Sequence, residues 1–227
     1  MSATKEAPKI NQLIAGLPAN ERRQILRLSE PVDLVFGAVL CQAGAFLQYA
    51  YFPLTSLISL GVITSDHKPL GVAMIGNEGV LGATLALDIH TVRLRAVVHG
   101  SGAALSLPAP QLRRLLRSNP GLSGVLRRYS YVLMGQLLQT AACNSFHEVE
   151  MRLARWLLMT DDRSHSKQFH FTHQFLANLL GVQRSAVTIA AGRLQDQKLI
   201  SYARGRIRIL SRSALEAATC ECYAAQR

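Results

Sequence analysis

The 227-residue sequence predicts an α+β fold, in which an antiparallel β domain is followed by a long helix and a mainly helical C-terminal domain. Three observations support this fold class. Short apolar runs separated by glycines and turn residues fill residues 32–107, a texture typical of many short antiparallel strands. A helical apolar pattern then begins at Pro120, and two further helical patterns meet at Gly181 before a short hairpin.

These patterns divide the chain into four segments. We expect a β domain with N-terminal helices at 1–110, a linker and long helix at 111–145, a C-terminal domain at 146–215 and a tail at 216–227.

Composition limits the classes of protein and partner. With 49% hydrophobic residues the chain can form substantial cores, and a formal net charge of +11 with a pI of about 10.1 favours a polyanionic partner or a membrane surface. No run of about 18 apolar residues is present to span a bilayer, and the N-terminus lacks the apolar core of a signal peptide. We therefore expect a cytoplasmic protein that does not insert into a membrane.

The first half is expected to open with one or two short amphipathic helices. Residues 10–28 carry this pattern, and Pro18 suits a helix start, so these helices are predicted to cover one end of the β domain. The strands that follow predict an antiparallel sandwich or barrel. The expected turns lie at Gly37, Gly44, 65–67 and 76–77.

The long helix is predicted to form the contact between two copies of the chain. Pro108 and Pro110 end the β region before a short helix, and Pro120 then opens the longest helical pattern. Because that pattern is apolar on more than one side, one side can pack on its own domain and another on a twofold partner. A helix buried within its own chain is the alternative. The predicted dimer positions run close to a heptad: Leu122, Val125, Tyr129, Val132, Gln136 and Gln139.

The C-terminal domain is predicted to contain a helix-turn-helix. A helix over 146–163 packs beneath it through residues such as Leu153 and Trp156, Thr172 can cap the first helix of the motif, and Gly181 can end it. The second helix begins near Gln183. Its predicted apolar stripe is Val187, Ala190, Ala191 and Leu194, and its predicted outer face holds Arg184, Ser185, Thr188 and Ile189.

A basic hairpin is expected to follow this second helix. Two short strands over 200–210 are joined through Arg204-Gly205-Arg206, which predicts a wing against a phosphate backbone. Residues 164–212 contain eight Lys or Arg against one acid, Asp196, so the formal charge of this segment is +7. The alternatives are a packing unit with a solvated basic face and a ligand-binding module that uses the motif for protein contacts.

The run THQFLANLLGVQRSAVTIAAGRL, residues 172–194, resembles the DNA-binding motif of the Crp/Fnr family of bacterial transcription regulators. This resemblance implies a cyclic-nucleotide-binding-like β jelly roll, a long dimerisation helix and a C-terminal winged helix-turn-helix. It also implies a homodimer that binds a palindromic operator in double-stranded DNA, with RNA polymerase as a further partner. Such a protein is not an enzyme.

The resemblance also implies roles for residues of the motif. Arg184, Ser185, Thr188 and Ile189 are expected to face the bases, and Ser185 departs from the glutamate common in the family. Contacts to phosphate are expected from Thr172, His173, Gln174, Arg204 and Arg206.

The region that would bind an effector departs from the family pattern. Nucleotide-binding members hold the cyclic phosphate with an Arg-Ser pair, whereas His90-Thr91 stand at that place here, and an imidazole lacks the fixed two-point geometry of a guanidinium. We therefore expect an effector other than cyclic AMP, if there is one, with Glu78, His90 and Thr91 as the candidate pocket residues. The N-terminal cysteine cluster of the Fnr branch is absent before Cys41.

A metal site and a cofactor are not expected. Cys41 and Cys143 are interpreted as small buried apolar residues; Cys220-Glu221-Cys222 could bind metal or sense oxidation, but a lone CxC is a weak signal. His147-Glu148 lacks the second histidine of HExxH because Arg152 stands there, and His165, His170 and His173 show no regular ligand spacing. The alternative function is a cupin-like metal-dependent enzyme with an appended helical domain, although no HxH pair is present.

Overall fold

The computed structural model describes residues 10–64, 69–164 and 168–226. The chain divides into two compact units. An N-terminal unit contains the residues up to Leu60 and Met74–Met134, and a C-terminal unit contains Gly61–Ala73 and the residues from Gly135 onward. The turn expected at 65–67 and the residues His165 and Lys167 lie outside the described residues.

Helices and strands follow the predicted order. The helices are α1 (Gln12–Ala15), α2 (Ala19–Leu28), α3 (Ala109–Ser118), α4 (Pro120–Phe146), α5 (Val149–Arg163), α6 (His173–Leu180), α7 (Arg184–Asp196) and α8 (Arg212–Ala217). The strands are β1 (Glu30–Leu34), β2 (Val39–Cys41), β3 (Tyr49–Pro53), β4 (Leu57–Ile63), β5 (Pro69–Ile75), β6 (Arg95–Gly100), β7 (Gly102–Pro108), β8 (Gln168–His170), β9 (Ile200–Ala203) and β10 (Arg206–Ile209). Short 3₁₀ helices occur at Ala83–Leu87 and Ala224–Gln226. None of the described helices combines the length and apolar character needed to cross a membrane.

Two sheets form the β part of the N-terminal half, as the sequence predicts. One has the strand order β1-β7-β3 and the other has the order β2-β6-β4-β5. In the first sheet β7 pairs with both neighbours in antiparallel register, with Glu30 opposite Ser106 and Tyr49 opposite Pro108. The inward residues of these strands, among them Phe52, Ile58, Met74 and Leu107, are completely buried and form the core.

Buried polar groups hold the two N-terminal helices to the rest of the N-terminal unit. The side chain of Asn11 caps α1 by accepting from the Leu13 N–H at 3.0 Å, and its amide donates to the carbonyls of Pro53 and Gly79. The buried carboxylate of Glu21 in α2 accepts from the N–H groups of Gly121 and Leu122 at 3.2 and 2.7 Å. Glu21 therefore caps the first turn of α4, where the unpaired N–H groups and the helix dipole both favour a negative charge.

The exposed face of α4 differs from the face that the sequence predicts for a dimer. Leu122 and Tyr129 are buried within the N-terminal unit, and Gln136 is buried too, so these three residues do not form an outer face. Gly79 leaves the space that the Tyr129 ring fills, since a Cβ at Gly79 would lie 2.0 Å from the phenol oxygen. Of the other predicted positions, Val132 is exposed and Val125 and Gln139 are half-buried, so a dimer face on this helix stays a prediction. The exposed apolar residues of α4 are Tyr131, Val132, Met134, Leu138 and Phe146.

The C-terminal unit is built on α5, whose middle is buried on every side. Leu153, Trp156 and Leu157 are almost inaccessible, as the sequence predicts. The expected hairpin is formed by β9 and β10, but a third strand that the sequence did not predict, β8, pairs with the other edge of β10. Strand β8 comes before α6 in the chain, and β9 and β10 come after α7.

Candidate nucleic-acid interface

Local capping fixes the turn between α6 and α7. The hydroxyl of Thr172 accepts from the Phe175 N–H at 3.1 Å, so α6 begins at His173. Gly181 ends α6 with a φ of +64°, a left-handed conformation that glycine adopts without strain. Gln183 is extended, and α7 begins at Arg184. Each of these boundaries agrees with the sequence prediction.

The second helix of the motif has one buried side and one exposed side. Val187, Ala190, Ala191 and Leu194 are buried, and they form the stripe predicted from the sequence. On the opposite side the exposed residues include Arg184, Ser185, Thr188 and Ile189. Ile189 is 58% exposed, although a side chain of this kind is normally buried, and so this apolar surface has no partner among the described residues.

A buried arginine that the sequence analysis did not assign supports the turn. A guanidinium nitrogen of Arg152 in α5 donates to the carbonyl of Leu180 at the C-terminal end of α6. A cation is favourable at that end of a helix because the last carbonyls are unpaired and carry negative partial charge. Burial lowers the pKa of Arg152, and the nearby charge of Arg155 acts in the same direction.

His173 joins the motif to the hairpin. Its Nδ1 atom lies 2.9 Å from the hydroxyl of Thr188, and its ring stacks on that of Tyr202 with centroids 4.4 Å apart. Burial lowers the pKa of His173, as does the charge of Arg184, so the imidazole stays neutral at physiological pH. The Nε2 atom is buried and has no partner among the described residues. The ring therefore holds α7 against the hairpin, and a phosphate contact of His173 stays a prediction.

The hairpin Ile200–Ile209, which we call the wing, presents two arginines at its end. Arg204 and Gly205 have φ values of +50° and +79°, the combination that defines a two-residue type I′ turn. Arg204 and Arg206 are both exposed beside this turn. The Gly205 carbonyl accepts from the Phe171 N–H at 2.7 Å, which fixes the wing to the residue before the Thr172 cap.

Not all of the basic residues counted in the sequence are available to a ligand. Arg193 lies 3.6 Å from the carboxylate of Glu150, and Arg212 forms ion pairs with Asp161, Asp162 and Glu216. The exposed arginines without an ion pair among the described residues include Arg184, Arg204 and Arg206. Arg184 therefore places exposed positive charge at the start of α7, and Arg204 and Arg206 place it at the end of the wing.

Each of the three candidate effector residues has a partner of its own in the described part of the chain. The Glu78 carboxylate accepts from the Gly76 N–H at 3.2 Å. His90 lies 3.0 Å from the Asp88 carboxylate, and the exposed residue Thr91 forms a β-bridge with Phe46. An effector role for the three residues stays a prediction.

A second group of polar side chains, which the sequence analysis did not bring together, lies in the C-terminal unit. The ligand-type atoms of Cys143, His147, Cys220 and Cys222 are all within 4.8 Å of one another. Cys143 and Cys220 are 77 residues apart, so no local spacing could reveal the group. In the sequence, only the spacing of Cys220 and Cys222 indicated a possible site.

The comparisons with known proteins agree with this geometry. Residues 151–218 match the family model of the Crp-like helix-turn-helix domain. At the level of full sequence, no curated protein matches the chain.

Solved structures of similar fold extend over most of the chain. FixK2 from Bradyrhizobium japonicum is 14% identical with a TM-score of 0.71, over 85% of this chain and 98% of that one. The c-di-GMP-responsive global regulator CLP from Xanthomonas campestris is 16% identical with a TM-score of 0.68, over 86% and 100%. A CRP-family transcriptional regulator from Thermus thermophilus is 17% identical with a TM-score of 0.66, over 82% and 95%. The chain therefore carries a Crp-like helix-turn-helix domain, and its fold is that of the Crp/Fnr transcription regulators.

Proposed function

We propose that the protein is a sequence-specific transcription regulator that binds a palindromic operator as a homodimer in the cytoplasm. The observation that carries the proposal is the outer face of α7, where Arg184, Ser185, Thr188 and Ile189 are exposed opposite a fully buried stripe. An α-helix with this division fits the major groove of B-DNA, in which base edges can be read.

The base contacts are assigned by chemistry. Arg184 is the first residue of α7, and an arginine at the start of a recognition helix can donate two hydrogen bonds to O6 and N7 of guanine. Ile189 offers an apolar contact for a thymine methyl group. Ser185 and Thr188 complete the face, although the Thr188 hydroxyl also lies 3.0 Å from the Arg184 carbonyl, to which it donates.

The phosphate contacts are assigned to residues that border this face. Arg204 and Arg206 are exposed at the end of the wing. Thr172 and Gln174 are exposed at the start of α6, where backbone N–H groups add positive potential. Contacts of this kind position the protein on the duplex without reading its sequence.

Dimerisation is assigned to the exposed apolar side of α4. Tyr131, Met134 and Leu138 follow one another at helical spacing and are 72%, 48% and 65% exposed. Val132, which the sequence predicts in the dimer face, is also exposed, at 54%. A twofold copy of the same helix would bury this stripe against itself.

We expect the substitution Leu138→Glu to convert the dimer to a monomer at micromolar concentration, because paired glutamates would be buried side by side in the interface. Sedimentation velocity measures the change directly. The control is Leu138→Gln, which is close to glutamate in shape but adds no charge, so it should weaken the dimer much less. A wild-type protein that sediments as a monomer would exclude this interface.

The operator is the test of the proposed function. Two recognition helices related by a twofold axis enter successive major grooves about 34 Å apart, so each half-site should be repeated in inverted order one helical turn away. Selection of bound sequences from a random DNA pool, with the purified protein at physiological salt, should recover such a palindrome. Binding that depends on salt but yields no motif would contradict sequence-specific recognition by the free protein.

Two further elements belong to the proposal. A signal would be received in the N-terminal unit, with Glu78, His90 and Thr91 as its contacts, and RNA polymerase would be the partner at the promoter. The c-di-GMP response named for the Xanthomonas relative belongs to that protein. The cupin-like enzyme is not favoured by any of the matches.

A further inference from the structure

The group formed by Cys143, His147, Cys220 and Cys222 has the composition of a metal site. The three cysteines are buried and the histidine is half-buried. Three sulfurs and one imidazole nitrogen form one of the common ligand sets of structural zinc, which is four-coordinate and tetrahedral. We propose that these four residues bind one Zn²⁺ ion and thereby fasten the C-terminal tail to the end of α4.

The distances between the ligand atoms fit a single tetrahedral ion. With Zn–S bonds of about 2.3 Å and a Zn–N bond of about 2.0 Å, two sulfurs lie about 3.8 Å apart and a sulfur and a nitrogen about 3.5 Å apart. The sulfurs of Cys143 and Cys220 are 3.6 Å apart, and the Cys222 sulfur is 3.5 Å from Nδ1 of His147. A cluster of several iron and sulfide atoms would require the sulfurs to be more widely separated.

Local backbone structure directs each pair of ligands toward the same point. The His147 N–H donates to the Cys143 carbonyl at 3.2 Å, so the last turn of α4 continues and residues 143 and 147 share one face. In the tail, the Tyr223 N–H donates to the Cys220 carbonyl at 3.1 Å. This turn brings Cys220 and Cys222 to the same side of the tail.

The histidine has the outer partner that metal-bound histidines usually have. Its Nε2 atom lies 3.2 Å from the Glu221 carboxylate, while Nδ1 is directed toward the sulfurs. A proton on Nε2 that is donated to Glu221 leaves the Nδ1 lone pair for the ion, and such carboxylate–histidine pairs orient the ring and raise its basicity.

A buried positive charge also favours the site. Arg155 is completely buried, and it donates to the Thr140 hydroxyl at 3.0 Å, but its Nε and Nη1 atoms have no hydrogen-bond partner in the described part of the chain. Arg155 lies close enough to Cys143 for its charge to act on the sulfur. Three thiolates, a neutral imidazole and Zn²⁺ together carry one negative charge, which would balance Arg155.

The tail is held in place by contacts outside the four ligands. Tyr223 is buried, its hydroxyl donates to the Asp162 carboxylate at 2.9 Å, and it accepts from Arg212 at 2.7 Å. Tyr223 directly follows Cys222, so these contacts fix the part of the tail that carries the two cysteines. They also lie beyond residues 151–218, which match the family domain, so the site is not part of that match.

Metal analysis of the purified full-length protein, prepared without a polyhistidine tag, tests the proposal. We expect about one zinc ion per chain, and we expect Cys222→Ser and His147→Ala to retain at least tenfold less. The matched control is Cys41→Ser, which removes a buried cysteine of β2 and should leave the zinc content unchanged. Loss of zinc in the control as well would overturn the assignment of these ligands.

Cobalt substitution provides a test that does not depend on whether the variants fold. Wild-type protein refolded with Co²⁺ should show thiolate-to-cobalt absorption in the near ultraviolet and the strong visible bands of a tetrahedral site. Protein without stoichiometric metal, with a Cys143–Cys220 disulfide, would overturn the proposal. Bound iron with inorganic sulfide would overturn it too, as would metal retained in full by both Cys222→Ser and His147→Ala.

Discussion

Replacement of Arg184 by alanine should weaken binding to the selected operator by about 1–3 kcal/mol, roughly a 5- to 150-fold loss of affinity. The substitution removes the guanidinium at the first position of α7, where it is exposed and free of an ion pair within the described residues. Since the side chain takes no part in the buried stripe of α7, the fold should be retained. Fluorescence anisotropy with operator and random duplexes at two salt concentrations measures both affinity and discrimination.

Two variants separate base reading from charge. Arg184→Lys keeps the positive charge but loses the planar fork, so it should lose discrimination while the salt dependence stays close to that of the wild type. Arg206→Ala, at the end of the wing, should weaken operator and random DNA equally and reduce the salt slope by about one. Equal losses on both duplexes for Arg184→Ala would mean that this residue contacts only phosphate.

Acid should destabilise the N-terminal unit through His99. This residue of β6 is 1% exposed, and burial lowers its pKa from the usual 6.5 to about 3. Between these two values the unfolded chain binds a proton that the folded chain does not, so the free energy of unfolding falls as pH falls. The contribution of His99 is fully present above pH 6.5. Each pH unit below this lowers the free energy of unfolding by about 1.4 kcal/mol, so about 2 kcal/mol is lost at pH 5.

The effect of His99 can be measured in its own part of the fold. Hydrogen exchange of peptides from β6 and β7 follows the N-terminal unit alone, and the urea concentration at which protection is lost should fall between pH 7.5 and pH 5. His99→Leu fills the site with an apolar side chain that cannot titrate. In this variant the loss of unfolding free energy between pH 7.5 and pH 5 should be smaller by about 2 kcal/mol. The same acid dependence in both proteins would assign the effect to other groups.

The helix-turn-helix could be predicted from the sequence because its determinants are local. Thr172 caps a helix that begins at the next residue, and Gly181 supplies the left-handed backbone that ends it. The stripe from Val187 to Leu194 repeats with the helical period, so the sequence also indicates which side is buried. Strand β8 escaped prediction because it is only three residues long and is specified by its pairing with β10.

The exposed side of α4 could not be predicted from the sequence in the same way. Both sides of this helix are apolar, and the choice between them depends on packing with distant residues. Tyr129 is buried because Gly79, fifty positions earlier in the chain, leaves room for its ring. The contacts of His173 could not be predicted for a related reason, since the residues that its ring contacts, Thr188 and Tyr202, come later in the chain.

The 77-residue separation between Cys143 and Cys220 has a topological consequence. The intervening chain contains α5, the helix-turn-helix and the wing, so a bond between the two ends would make the whole domain a closed loop. In the polymer description used for disulfides, closing a loop of this length lowers the conformational entropy of the unfolded chain and so stabilises the fold by about 4–5 kcal/mol. A zinc ion bound by both ends would cross-link them in the same way. The domain could then unfold to a fully extended chain only after the ion is lost.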